Sequence, residues 1–123
     1  HTPYVKGPNG PEPDMKRALS GHPQDFPITA PATLPEPWGA AFAVTMTAAS
    51  GPWGVSFAAN LTPDPGTGVL RDYTEDSFVQ AMRTGRHLGQ GRPILPPMPW
   101  PVYGQMTDDD LKAVFAYLRQ IPA

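Results

Sequence analysis

The 123-residue sequence contains no cysteine. That excludes a disulfide framework and any thiolate metal site built from these residues. No charge sign dominates either: nine Lys and Arg stand against eleven Asp and Glu, for a formal net charge of -2. The basic residues are scattered and form no polybasic run, which argues against nucleic acid as a partner. No apolar stretch approaches the length of a membrane span. No signal peptide is recognisable, so any export signal either has been removed or lies outside these residues. The acids show no paired spacing suited to hydrolysis. Gly85–Gly91 lacks the preceding strand and following helix of a phosphate-binding loop.

The abundant residue is proline, at 18 positions. Each one fixes φ and removes a backbone donor, so on composition alone the chain is neither mostly sheet nor mostly helix. A hydrophobic content of 40% still places it outside disordered composition. These features describe a loop-rich domain, and a large apolar cofactor would give such a domain something central to pack against.

Prolines punctuate residues 1–37, which read as extended loop with one helical turn near Asp14–Leu19. Ala40–Ala48 and Trp53–Ala59 are apolar and partly alternating, and Ser50-Gly51-Pro52 between them predicts a short β-hairpin. Asn60–Gly68 is turn chemistry throughout. Two helices come next. The first is expected from about Glu75 to Arg83 or Thr84, with Thr74 as N-cap, Phe78, Val79 and Met82 as its apolar stripe, and Gly85 as its stop. The second is expected from Asp108 to about Gln120, capped by Thr107, with Leu111, Val114, Phe115 and Leu118 at i, i+3, i+4, i+7 spacing. That second stripe needs a partner, and no other strong helix is obvious as one.

Between the helices, Leu95, Pro96, Met98 and Trp100 each precede a proline and are pushed towards extended backbone. The segment therefore loses little entropy on folding and presents one thioether, Met98, from a stiff frame. A weak metal ligand needs that preorganisation. Met15, Met46, Met82 and Met106 lack such a frame and read as packing residues. His22 and His87 read as surface residues.

The NLTPD-x-x-TG run at Asn60–Gly68, the acid-capped helix ending in Arg83-Thr84-Gly85, the loop Pro96-Pro97-Met98-Pro99-Trp100 and the helix Met106–Gln120 occur in an order that resembles bacterial periplasmic class I c-type cytochrome domains of the dehydrogenase-associated type. The opening His1-Thr2-Pro3 is similar to the histidine of that family's C-x-x-C-H motif and the Thr-Pro that commonly succeeds it. The resemblance implies a mainly α, cytochrome c-like fold over residues 1–123 with a short hairpin and Pro-rich loops. It implies haem c as cofactor, His1 as proximal and Met98 as distal iron ligand, and one-electron transfer rather than catalysis. Trp53, Asn60, Arg83, Arg92 and Trp100 become candidates for haem-wall or propionate contacts. Implied partners are a dehydrogenase or a terminal oxidase, in the periplasm and in a membrane-associated complex. The family's two attachment cysteines and its N-terminal helix are not among these residues. The resemblance therefore implies a helix ending in C-x-x-C immediately before His1 in the complete polypeptide.

Two other readings stand beside it. One is a haem-free, cytochrome-like interaction module. The other is a copper protein in which the amino group and imidazole of His1 chelate the metal, as in the histidine brace of lytic polysaccharide monooxygenases, with His22 or His87 as the second histidine.

Overall fold

The computed structural model describes residues 1–123, which divide into two compact units, His1–Leu61 and Thr62–Ala123. In the first unit, β1 (Tyr4–Gly7) and β2 (Gly10–Pro13) form an antiparallel hairpin with Gly7 opposite Gly10. Its turn ends on Gly10 at φ 119, a left-handed value that glycine adopts without a Cβ penalty. A 3-10 turn at Met15–Arg17 comes after it, where Asp14 accepts from Lys16 N at 3.1 Å and from Arg17 Nε at 2.8 Å. The extended loop expected over residues 1–37 thus contains a two-stranded sheet. Prolines are compatible with it because both strands are edges, where a missing N–H can face solvent.

A second sheet has the order β3 (Ala41–Phe42), β4 (Ala48–Gly51), β5 (Gly54–Phe57), all antiparallel. The predicted hairpin is present as β4–β5, but its first strand is Ala48–Gly51 rather than Ala40–Ala48. The apolar run is interrupted by a turn in which Met46 N donates to Ala43 O at 2.9 Å and Met46 takes φ 58. Val44 and Met46 are consequently exposed. The centre of this unit is made of small residues: Pro3, Thr45, Thr47, Ala48 and Ala49 are buried. Thr47 Oγ1 and Thr45 Oγ1 satisfy one another at 2.9 Å, as buried hydroxyls must.

The second unit holds α1 (Glu75–Thr84), α2 (Trp100–Tyr103) and α3 (Asp108–Leu118). Thr74 and Ser77 form a reciprocal capping box at the start of α1, and Gly85, at φ 68, closes it in the left-handed conformation. Thr107 accepts from Asp110 N at 3.1 Å and starts α3. Phe78, Val79, Ala81 and Met82 of α1 and Leu111, Phe115 and Leu118 of α3 are buried, and the Phe78 and Phe115 rings lie 5.3 Å apart. Burial of each large side chain is worth about 1.5–3 kcal/mol. The partner of the α3 stripe is therefore α1. The sequence hid this because α1 is short and carries Glu75, Asp76, Gln80 and Arg83 among its apolar residues. Val114 lies at the edge of the stripe and remains 39% exposed.

The expectation of a mainly α fold is too strong. Helices of 10, 4 and 11 residues and two small sheets leave most of the chain in turns and irregular segments. The physical reason is the proline content, which removes the donors that longer helices require. No helix is long and apolar enough to cross a membrane.

Candidate functional site

Three backbone bonds tie the front of the first unit to the end of its sheet. Gly21 N donates to His1 O, His22 N to Ala58 O and Leu61 N to Leu19 O, each at 2.8–2.9 Å. Thr2 Oγ1 accepts from Leu19 N at 3.0 Å. Gly21, at φ 81, is required there, since a Cβ would collide with the backbone of Ala58 and Ala59. This knot brings His1 beside the segment that carries Asn60. His1 is half-buried, and its Nδ1 lies 2.7 Å from Ala59 O. A carbonyl can only accept, so Nδ1 carries a proton, and in the neutral ring Nε2 keeps its lone pair. Metal-binding imidazoles are ordinarily oriented in this way, one nitrogen donating to a backbone carbonyl and the other left for the metal. The donor at His1 therefore fits an iron ligand.

Trp53 is not brought to that knot. It sits in the β4–β5 turn, where its indole Nε1 donates to Ser56 Oγ at 3.1 Å and its ring covers Gly51. The strand between it and Ala59 spans roughly 20 Å at strand rise. His22 is half-buried rather than a free surface residue. Its Nε2 lies 2.7 Å from Phe26 O and its Nδ1 2.9 Å from Thr47 Oγ1, so the ring staples residues 22–26 to the sheet. With both ring nitrogens engaged, it offers no free lone pair as the second histidine of a copper brace. No group of three or more His, Cys, Asp or Glu side chains converges to hold a metal ion.

In the second unit, Met98 is half-buried, and its N–H donates to Leu95 O at 3.3 Å. The loop that carries it is fastened to Gly85 at both ends. Ile94 N donates to Gly85 O at 2.8 Å, and the Trp100 indole lies so close over Gly85 that a Cβ there would strike the ring. Trp100 also opens α2, which is not expected from sequence because Trp-Pro-Val-Tyr lacks a capping residue. Arg83 is engaged as a clamp. Its guanidinium donates to Gly104 O, to Met106 O at 2.7 Å and to Asp108 Oδ1 at 2.6 Å, joining α1 to the α2–α3 connection. Arg92 is exposed; its carbonyl accepts from His87 N at 2.9 Å.

Among the other methionines, Met82 is buried and Met106 half-buried. Met15 and Met46, expected to pack, are 71% and 50% exposed. Local geometry explains both: Met15 opens a surface 3-10 turn and Met46 occupies a turn at positive φ. His87 is half-buried, with Nδ1 3.1 Å from Tyr73 Oη, and Leu88 N donates to the same hydroxyl at 2.9 Å. Sequence reasoning missed this group because the two partners lie on opposite sides of α1. The only available hint was a tyrosine placed directly before the Thr74 cap.

Comparison with known proteins bears on the same chemistry. The chain is 43% identical over 56 residues to the gluconate 2-dehydrogenase cytochrome c subunit of Pantoea cypripedii, covering 46% of this chain and 12% of that protein. It is 38% identical over 56 residues to the cytochrome c subunit of the quinone-dependent alcohol dehydrogenase of Gluconobacter oxydans, covering 46% of this chain and 11% of that one. It is 35% identical over 57 residues, again 46% of this chain and 11% of the relative, to the fructose dehydrogenase cytochrome subunit of Gluconobacter japonicus. The matched stretch thus spans about an eighth or less of each relative's length. No protein-family model matches the chain, and no solved structure matches it.

Proposed function

We propose that this chain forms a single haem-carrying cytochrome c domain over residues 1–123 that relays one electron at a time in a periplasmic, dehydrogenase-linked chain. The observation that carries the reading is the similarity to cytochrome c subunits of three different dehydrogenases. Bound haem c would supply the one-electron couple, and His/Met ligation favours its ferrous form. His1 would hold the iron through Nε2. Its Nδ1–H bond to Ala59 O fixes the ring orientation and raises the basicity of the ligating nitrogen. Met98 would supply the second iron donor, from a loop whose prolines restrict it before any metal binds. Two protein donors to the iron would leave no place on it for a substrate, which would suit a carrier rather than a catalytic centre.

Asn60, Trp100 and Arg92 are the remaining side chains proposed to line the cofactor. Trp53 belongs to that set only on the sequence resemblance, and Arg83 contributes chiefly as a clamp. Covalent attachment needs two thiolates that residues 1–123 do not contain, so the reading assigns both thioether-forming cysteines to residues outside this sequence. The proposed partners are the dehydrogenase that donates electrons and the oxidase that accepts them, in a membrane-associated complex.

The test is spectroscopic and chemical. The reduced complete polypeptide should show sharp low-spin c-type bands, and the oxidised form the weak charge-transfer band of Met–iron ligation. Acid–acetone should leave the haem on the protein. Colourless, iron-free protein would overturn the electron-carrier reading in favour of a haem-free interaction module. Haem recovered wholly in the solvent would overturn the covalent attachment.

A further inference from the structure

The Tyr73 hydroxyl sits at the centre of a small polar group that the electron-transfer reading does not use. After α1 ends at Gly85, residues 86–91 run back along the helix. Gly89 lies against Gln80, and Thr84 Oγ1 donates to Gly89 O at 3.0 Å. The returning segment is strained: Leu88 adopts φ 56, ψ 15, a left-handed conformation that leucine rarely takes. Such a residue persists only where its surroundings hold it. The holding contact here is Tyr73 Oη, which accepts the Leu88 N–H at 2.9 Å. The same hydroxyl lies within hydrogen-bond distance of His87 Nδ1, at 3.1 Å, and the two rings meet edge-to-face at 5.4 Å. His87 in turn donates its backbone N–H to Arg92 O at 2.9 Å, and its carbonyl accepts from Gly91 N at 2.7 Å. Arg86 bridges to Pro93, and Ile94 N reaches Gly85 O. From Tyr73 to Ile94 the chain is one connected set of bonds, and Ile94 opens the segment that ends in Met98.

We infer that Tyr73 is a positioning residue: its hydroxyl latches the strained Leu88 turn and His87, and so fixes the base of the loop that presents Met98. The apolar body of Tyr73 packs against Phe78, with ring centroids 6.5 Å apart, so the hydroxyl can be removed without emptying the core. The claim that the latch controls a metal ligand rests on the proposed role of Met98. The claim that it holds the loop does not.

Two measurements on the full chain separate these claims. In Tyr73→Phe, amide hydrogen exchange at His87 and Ile94 should accelerate about tenfold, the factor expected when a part-buried hydrogen bond loses one partner. Exchange at Leu111 and Phe115 in α3 should not change. His87→Asn, whose side-chain amide can accept or donate where Nδ1 stood, should keep protection within about threefold. The latch is overturned if His87 and Ile94 exchange unchanged in Tyr73→Phe, or if α3 accelerates equally, which would mean general destabilisation. In the haem-loaded protein, imidazole should displace the methionine about tenfold more readily in Tyr73→Phe than in the parent, at equal haem content. Unchanged imidazole affinity with accelerated exchange would overturn the link to Met98 while leaving the latch. Absence of a Met–iron band in the parent protein would overturn the ligand assignment itself, and the exchange result would still decide the latch.

Discussion

Replacing Arg83 with Met is the sharpest test of how the second unit is held together. The substitution keeps the apolar stem and removes all the guanidinium donors. Gly104 O and Met106 O lose their charged partner, and Asp108 loses its counter-ion. A hydrogen bond from a charged donor is worth about 1.5–3 kcal/mol net. The Arg83 side chain is 31% exposed, so solvent compensates part of that loss, and the two carbonyl bonds together come to roughly 2–4 kcal/mol. The Asp108 side chain is 67% exposed, and such a pair contributes about 0–1 kcal/mol. Arg83→Met should therefore cost about 3 kcal/mol and lower the melting temperature by about 10 °C. Asp108→Asn should cost less than about 1 kcal/mol. Urea unfolding of both variants and of the double mutant measures each quantity, with an unchanged denaturant slope confirming that the loss lies in the folded state. An Arg83→Met cost below about 1 kcal/mol, or one no larger than that of Asp108→Asn, would refute the carbonyl clamp.

Phe115→Ala should cost about 3–5 kcal/mol, because the ring is buried against Phe78, whereas Val114→Ala at an exposed edge should cost under about 1 kcal/mol by the same unfolding assay. Asp64 accepts from Gly66 N, Thr67 N and Thr67 Oγ1, and these bonds, the Thr67 backbone first, hold its carboxyl below the ordinary value of 3.8. A depressed folded pKa stabilises above the unfolded value and loses that contribution as pH falls through the folded value. The stability gap between the parent and Asp64→Asn should therefore be constant above about pH 5 and close progressively under acid, as tracked by melting temperature against pH. Met98→Ala should abolish the Met–iron band and lower the reduction potential, while Met106→Leu, a volume-conserving change, should leave the spectrum alone. The opposite pattern would identify Met106 as the ligand.

The boundaries of α1 and the start of α3 were legible because they are written in short-range chemistry. Thr74, Gly85 and Thr107 act on backbone groups within a few residues of themselves. The existence of the β4–β5 hairpin was legible for the same reason, but its turn falls at Pro52-Trp53 rather than Ser50-Gly51-Pro52, and the strand before it was misplaced. An apolar run of Ala, Phe and Val scores as a strand whether or not a turn at Ala43–Met46 cuts it. The N-terminal hairpin was hidden because Pro8, Pro11 and Pro13 read as loop when it is not known that both strands are edges. Within the candidate site, the rigidity of the Met98 loop could be read from its prolines. The orientation of His1 could not, since its partner Ala59 lies 58 residues away and contributes only a carbonyl. The role of Arg83 was also invisible in one dimension, because all its acceptors lie more than twenty residues downstream.

A stiff loop does not by itself aim a ligand. Prolines at 93, 96, 97, 99 and 101 restrict the conformation of each residue between them, yet a rigid segment with free ends can still point anywhere. Direction comes from the ends, and in this chain both are set by the last turn of α1. Gly85 accepts the Ile94 N–H on one side of the loop and seats the Trp100 ring on the other. One residue earlier in that turn than Thr84, Arg83 fixes Gly104 and Met106 beyond the loop. A helix of ten residues anchored in the core by Phe78, Val79, Ala81 and Met82 thus does what a longer scaffold would otherwise have to do. This accounts for a glycine at position 85 on two independent grounds. The left-handed cap excludes a β-branched or bulky residue there, and the Trp100 ring excludes any side chain at all.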